Sequence, residues 1–91
     1  MKKKDAFNLF KGIKINTKNK SIEAQEKLLL IGYKWNGGSK GPIGNKKYLF
    51  IDTDGYITYS DSKERFSKEL HKEVSVEAVL EVNISKEKNA K

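Results

Sequence analysis

Alternation of apolar and polar positions is clearest between Lys46 and Ser60, and it predicts a β-hairpin. Two turns compete for the connection. A two-residue loop at Asp54-Gly55 would set Phe50 against Tyr59 and Leu49 against Ser60, mixing polar and apolar side chains on both faces. A three-residue loop, Thr53-Asp54-Gly55 with Gly55 left-handed, sets Leu49 against Tyr59 and Ile51 against Ile57 and makes one apolar face. The pattern selects this second register. The other face then carries Phe50, Asp52, Tyr56 and Thr58, a surface for a partner or for a second strip of cover.

The flanking pattern supplies the remaining elements. Asp5 to Phe10 reads as one helical turn with Asp5 as cap and Gly12 as stop. Gly12 to Asn16 alternates, with Ile13 and Ile15 inward. Ser21 caps a predicted helix from Ile22 to Ile31 that ends at Gly32, with Ile22, Ala24, Gln25, Leu28, Leu29 and Ile31 on its inner half and Leu30 among the charges. Leu30 is either ordinary surface exposure or the edge of a subunit contact. Tyr33-Lys34-Trp35 reads as a short strand, and 36–47, with four Gly, one Pro and three Lys, as a loop. Asp61-Ser62-Lys63-Glu64 resembles a capping box and starts a short helix from Ser62 to Leu70. From Val74 to Ile84 the even positions are apolar, which predicts a strand; a helix capped at Ser75, with Val74 and Val79 as its staple, is the competing reading.

These elements define an α+β class: a small single domain with an antiparallel sheet and one main helix on one face, in β-α-β-β-β order with a short second helix. Residues 1–11 are read as a basic N-terminal segment, 12–84 as the domain, and 85–91 as a disordered Lys-rich tail. Ninety-one residues bury only roughly 60–65% of the unfolded surface, so the core is small and binding is expected on a surface or at an oligomer interface. A cysteine count of zero removes disulfides and thiolate zinc sites. The basic start at Met1 to Lys4 is followed by no apolar run that would make a signal peptide, and no stretch approaches the ~20 apolar residues of a membrane span, so no membrane partner is expected.

The net charge of +7 is unevenly placed. Residues 1–20 hold seven lysines against Asp5, and 34–47 hold Lys34, Lys40, Lys46 and Lys47 with no acid. Such segments serve solubility or form a footprint for phosphate-bearing partners. Tyr33 and Trp35 beside them either cover the core or offer a stacking surface for a base. The loop is either a long connection or a flap that closes on a ligand; its spacing fits neither G-x-x-x-x-G-K-S/T nor G-x-G-x-x-G. Asp52-x-Asp54-Gly55 lacks the remaining acids of a calcium loop. His71 stands alone without a nucleophile or a second ligand, so neither catalysis, a metal nor a cofactor is expected.

The string Gln25-x-x-Leu28-x-x-x-Gly32-Tyr33-x-Trp35, followed by Tyr48-Leu49-Phe50-Ile51-Asp52-x-Asp54-Gly55-x-Ile57 and Lys72-Glu73-Val74, resembles the small early proteins of phages and prophages of low-GC Gram-positive bacteria. The resemblance implies an accessory, anti-defence role in the cytoplasm of an infected bacterial host, either sequestering a nucleotide signal or plugging a host enzyme. It maps no functional residues. The leading expectation is a non-enzymatic homo-oligomer that holds a nucleotide-like anion, with Lys40, Lys46 and Lys47 on phosphate, Trp35 and Tyr33 on the base, and Tyr56 closing the site. Nucleic acid bound through the basic N-terminus and the loop is the second reading. A host protein bound through the Phe50/Tyr56 face or Leu30 is the third.

Overall fold

The computed structural model describes residues 1–84, ordered as α1 (Lys3–Leu9), β1 (Ile13–Asn16), α2 (Ser21–Ile31), β2 (Lys34–Trp35), β3 (Tyr48–Ile51), β4 (Tyr56–Ser60), α3 (Lys63–Lys68), β5 (Lys72–Ser75) and α4 (Val76–Leu80). The expected tail at 85–91 lies outside the described residues. β3 and β4 form the hairpin in the predicted register, Leu49 opposite Tyr59 and Ile51 opposite Ile57. Asp52 closes the three-residue loop. Its N–H donates to Tyr56 O (3.0 Å), its carbonyl accepts from Gly55 N (3.1 Å), and its Oδ1 accepts from Asp54 N (2.9 Å) and Tyr56 N (3.0 Å). These bonds account for Asp52 as turn chemistry, with Asp54 contributing its backbone N–H.

The class is α+β, but the sheet is mixed rather than antiparallel, with strand order β2-β4-β3-β1-β5. β1 pairs antiparallel with β3, whereas β5 lies parallel to β1 and β2 parallel to β4. The cause is connectivity. α2 carries the chain from β1 to β2, and α3 carries it from β4 to β5. A helical crossover returns the chain to the end it left, so each later strand runs the same way as the earlier one.

One sheet face packs Ile13, Ile15, Leu49, Ile51 and Ile57 into a cluster with Ala24, Leu28 and Ile31 of α2 and Val76 and Val79 of α4. Ala6 and Phe10 belong to that cluster too, so the N-terminal segment is part of the core and more than a basic extension. Its helix is capped at Lys2 rather than Asp5, with no side-chain bond. Ile22, placed inward by the sequence, is 38% exposed. On the opposite face Phe66 of α3 stacks on Tyr48 at 4.6 Å and meets Phe50 at 6.1 Å. Phe50 is therefore covered by this chain and offers nothing to a partner, whereas Tyr56 on the same face is 43% exposed. Buried Lys14 completes that layer, its Nζ donating to Phe66 O and Glu69 O and lying 4.8 Å from the Phe66 ring centre.

Two helix boundaries differ from expectation. α3 begins as predicted, with Ser62 Oγ accepting from Arg65 N (3.1 Å), but ends at Lys68 and leaves Leu70 fully exposed. The strand expected over Val74 to Ile84 stops at Ser75, whose Oγ accepts from Ala78 N (3.1 Å) and starts α4. Val76, Val79 and Val82, three apart, all turn inward, so helical spacing buries what period two would have divided between two faces. No helix among the described residues is long and apolar enough to cross a membrane.

Candidate functional site

α2 stops at Gly32, whose φ of +124° turns the chain out of the helix and aims Tyr33 inward. The Tyr33 ring stacks on Phe7 at 4.6 Å, and its hydroxyl donates to Phe7 O. Trp35 folds under the loop, with Nε1 donating to Gly41 O at 2.9 Å and the ring edge-on to Tyr59 at 6.2 Å. Both residues are core, at 1% and 4% exposure, so neither ring has a free face for a base. The expected stacking role is corrected accordingly. A small domain has few large apolar groups, and this one spends its tryptophan on closing the core.

Burial also moves Tyr33 chemically. Loss of solvation pushes its phenol up to about 12, against the smaller opposing effect of the Phe10 backbone. Below pH 10 the phenol is neutral in both folded and unfolded chains. Between about 10 and 12 only the unfolded chain ionises, and stability falls. Alkaline denaturation followed by circular dichroism should therefore begin near pH 10 in the native protein. In Tyr33→Phe that part of the decline should be absent.

A cleft of about 550 Å³ opens between the end of α2, β2, the start of β4 and the first half of the loop. Edges of Tyr33 and Trp35 form its inner wall, while Lys34, Lys40 and Tyr56 line its mouth. Lys34 stands opposite Tyr56 in the β2–β4 ladder, and the Tyr56 ring is 43% exposed. No carboxylate lines the cleft. Lys34 was not among the predicted site residues, although the alternation in Tyr33-Lys34-Trp35 signals it: two aromatics inward leave the lysine between them outward.

Four of the six predicted residues thus meet at this cleft, and two do not. Lys46 Nζ lies 4.3 Å from the centre of the Tyr59 ring, on the far side of the loop. The Lys47 backbone N–H donates to Asp61 Oδ1 at 3.0 Å, while its side chain is outside the cleft lining. Lys46 and Lys47 sit at the end of the loop that joins β3, so the loop separates them from Lys40 instead of gathering all three.

The second half of the loop is held by three polar side chains, among them Ser21, expected as a helix cap, and Gln25, expected only on the inner half of the helix. Ser21 Oγ donates to Lys46 O (2.7 Å) and accepts from Lys46 N (2.8 Å), so it does not cap its own helix. Thr17 Oγ1 donates to Lys46 O and Lys47 O, both at 2.9 Å. Gln25, fully buried, donates from Nε2 to Gly44 O (2.7 Å) and accepts at Oε1 from Ile43 N (2.9 Å). The signal was their spacing: Thr17, Ser21 and Gln25 recur every fourth residue, the last two on the buried side of a helix, where polar groups need partners. The loop is therefore a latched connection from Ile43 onward, and its freer part is 36–40.

No family model, no curated protein and no solved structure matches this chain. Chemically the cleft offers two ammonium groups, one open phenol ring and loop polar groups. Among the described residues no group of three or more His, Cys, Asp or Glu could hold a metal ion. His71 is outside the cleft lining, with Nδ1 3.4 Å from Glu69 Oε1 and the ring against Phe50.

Proposed function

We propose that this protein binds, without turning it over, a phosphate-bearing nucleotide-like molecule in the cleft between Lys34, Lys40 and Tyr56. The reading rests on one observation: two lysines and an exposed tyrosine ring line the same cleft, and no acid is in its lining. Its volume falls within the ~300–1,000 Å³ usual for small-ligand sites. Lys3 of the first basic segment is near Gly32 at the cleft, its Cε 3.9 Å from where a Cβ on Gly32 would stand, while it lines a neighbouring opening with Lys4, Phe7 and Ile31. Phosphate is assigned to Lys34 and Lys40, with Lys3 adding to the field, and the base to Tyr56. Trp35 and Tyr33 shape the floor. The setting is the one the sequence resemblance implies, a phage-type accessory protein that withdraws a nucleotide signal in its host's cytoplasm, acting as a homo-oligomer.

Calorimetry against cyclic dinucleotides and ADP-ribose derivatives tests this. Binding to at least one is expected, weakened at least tenfold in Tyr56→Ala and in Lys40→Glu, with Lys47→Glu much less affected. Silence across the panel would remove the proposal. A steep fall with salt and equal binding of any oligonucleotide would move the assignment to nucleic acid, since affinity that comes from many phosphates is lost with salt.

A further inference from the structure

The outer edge of β4 is only half covered. On its inner side β4 pairs with β3 along its length, from Ile51 opposite Ile57 to Tyr48 opposite Ser60. On its outer side β2 reaches only Tyr56 and Ile57. Asn36 N donates to Ile57 O (3.1 Å), and the chain then turns away, with Gly38 N bonded to Trp35 O (3.0 Å). Strand alternation fixes which backbone groups are left. Tyr56 O faces β3, where it accepts from Asp52 N, and Ile57 O faces β2. Tyr56, Thr58 and Ser60 therefore address β3, and the N–H and C=O of Tyr59 point to the side where β2 has ended.

A groove of about 350 Å³ follows this open edge and shares Trp35, Asn36 and Ser39 with the cleft. Trp35, Ile43, Ile57 and Tyr59 give it apolar walls. At its rim Lys46 Nζ stands over the Tyr59 ring, and the adjoining stretch 34–47 carries four lysines and no acid. Apolar walls, an unpaired strand edge and a cationic rim together describe a receptor for an added strand. A second copy docking edge to edge would bring its own Lys46 and Lys47 against these lysines, and like charges repel.

We propose that this groove binds an extended acidic segment of a partner protein, which continues the line of β2 and pairs with the Tyr59 backbone. Side chains two apart share a face of such a strand. The segment therefore carries an apolar residue, seated between Trp35 and Ile43, and an acidic residue two positions along, facing Lys46. The proposal does not rest on the nucleotide reading, although the groove shares Trp35, Asn36 and Ser39 with that cleft.

The probe is an acetylated, amidated pentapeptide of sequence Thr-Val-Thr-Glu-Thr, titrated into ¹⁵N-labelled protein. The Tyr59 amide and the Trp35 indole N–H are expected to shift saturably, while Tyr56→Ala leaves the titration unchanged. N-methylation of the peptide backbone, which removes donors and keeps charge and side chains, should weaken binding at least tenfold, as should Lys46→Glu. Tyr59→Pro should abolish it and Tyr59→Val preserve it, because a proline there removes an outward N–H and leaves the β3 ladder intact. Should Tyr59→Pro fail to fold, the methylated peptide still decides. No shifts up to about 5 mM peptide, or equal binding of the methylated peptide, overturns strand addition. Self-association that disappears in Tyr59→Pro assigns the edge to a second copy and overturns the partner segment.

Discussion

Gly55→Ala is expected to lower the thermal midpoint by about 10–20 °C, corresponding to a loss of about 3 kcal/mol in a domain of this size. Two causes add. Gly55 holds φ at +88°, where an L side chain is strained by about 1–2 kcal/mol. A Cβ there would also lie 2.5 Å from Phe7 Cζ, and Phe7 is not free to retreat, because its ring is stacked on buried Tyr33. Forcing that ring off its position adds about 1–3 kcal/mol of overpacking. Gly12 provides the control. Its φ of +75° is equally left-handed, but the nearest atom to an added Cβ is Thr53 Cγ2 at 3.7 Å, so Gly12→Ala should lose only the backbone part, about 1 kcal/mol. A double-mutant cycle of Gly55→Ala with Phe7→Leu isolates the contact: a coupling of about 1 kcal/mol or more is expected. Equal midpoints for the two glycine variants would show that the hairpin loop is not seated on α1.

That contact shows which parts of the fold could be read in advance. The hairpin was legible because turn chemistry and alternation are local and had to agree: Gly55 had to be left-handed for Ile51 to meet Ile57, and both hold. The seating of the turn on Phe7 was not legible, since nothing within 46–60 refers to residue 7. Strand direction failed for the same reason. Whether β2 and β5 lie parallel depends on where α2 and α3 deliver the chain, which is a property of the whole topology. At Val74 to Ile84 the deciding signal was present, but two periods overlapped. Val74, Val76, Val82 and Ile84 suit a strand, and Val76, Val79 and Val82 suit a helix. Ser75 settles it, by accepting from Ala78 N.

For the cleft, charge and alternation were informative and aromatic content was misleading. The acid-free stretch does border the cleft, and Tyr56 does open onto it. Tyr33 and Trp35 were assigned to a ligand because they neighbour lysines in sequence. In three dimensions only their edges reach the cleft, since a two-layer packing this small needs its largest rings inside. Lys46 and Lys47 were grouped with Lys40 on sequence distance alone, which a loop does not preserve.

Gln25→Leu is the second large effect expected, about 2–4 kcal/mol, although it replaces a buried polar side chain with an apolar one of similar size. Gln25 is the only side chain bonded to Ile43 N and Gly44 O among the described residues, at 2.9 and 2.7 Å. Leucine would leave a donor and an acceptor unpaired in a partly buried place, at about 1–3 kcal/mol each before the loop relaxes outward. Relaxation limits the loss but uncovers Trp35, because the same loop supplies Gly41 O to its indole. The variant should therefore show a lower midpoint together with red-shifted tryptophan emission and greater acrylamide quenching while still folded. Ser21→Ala, which removes the bonds to Lys46 one turn earlier, should lower the midpoint less and leave emission near native. If Gln25→Leu left both midpoint and emission unchanged, the latch would not depend on the glutamine. Loss of the latch would also alter both openings at Trp35, since Asn36 and Ser39 wall both, Gly38 and Lys40 the cleft, and Gly37 and Ile43 the groove. Nucleotide and peptide titrations of this one variant are accordingly expected to weaken together, whereas Tyr56→Ala and Tyr59→Pro each affect only one.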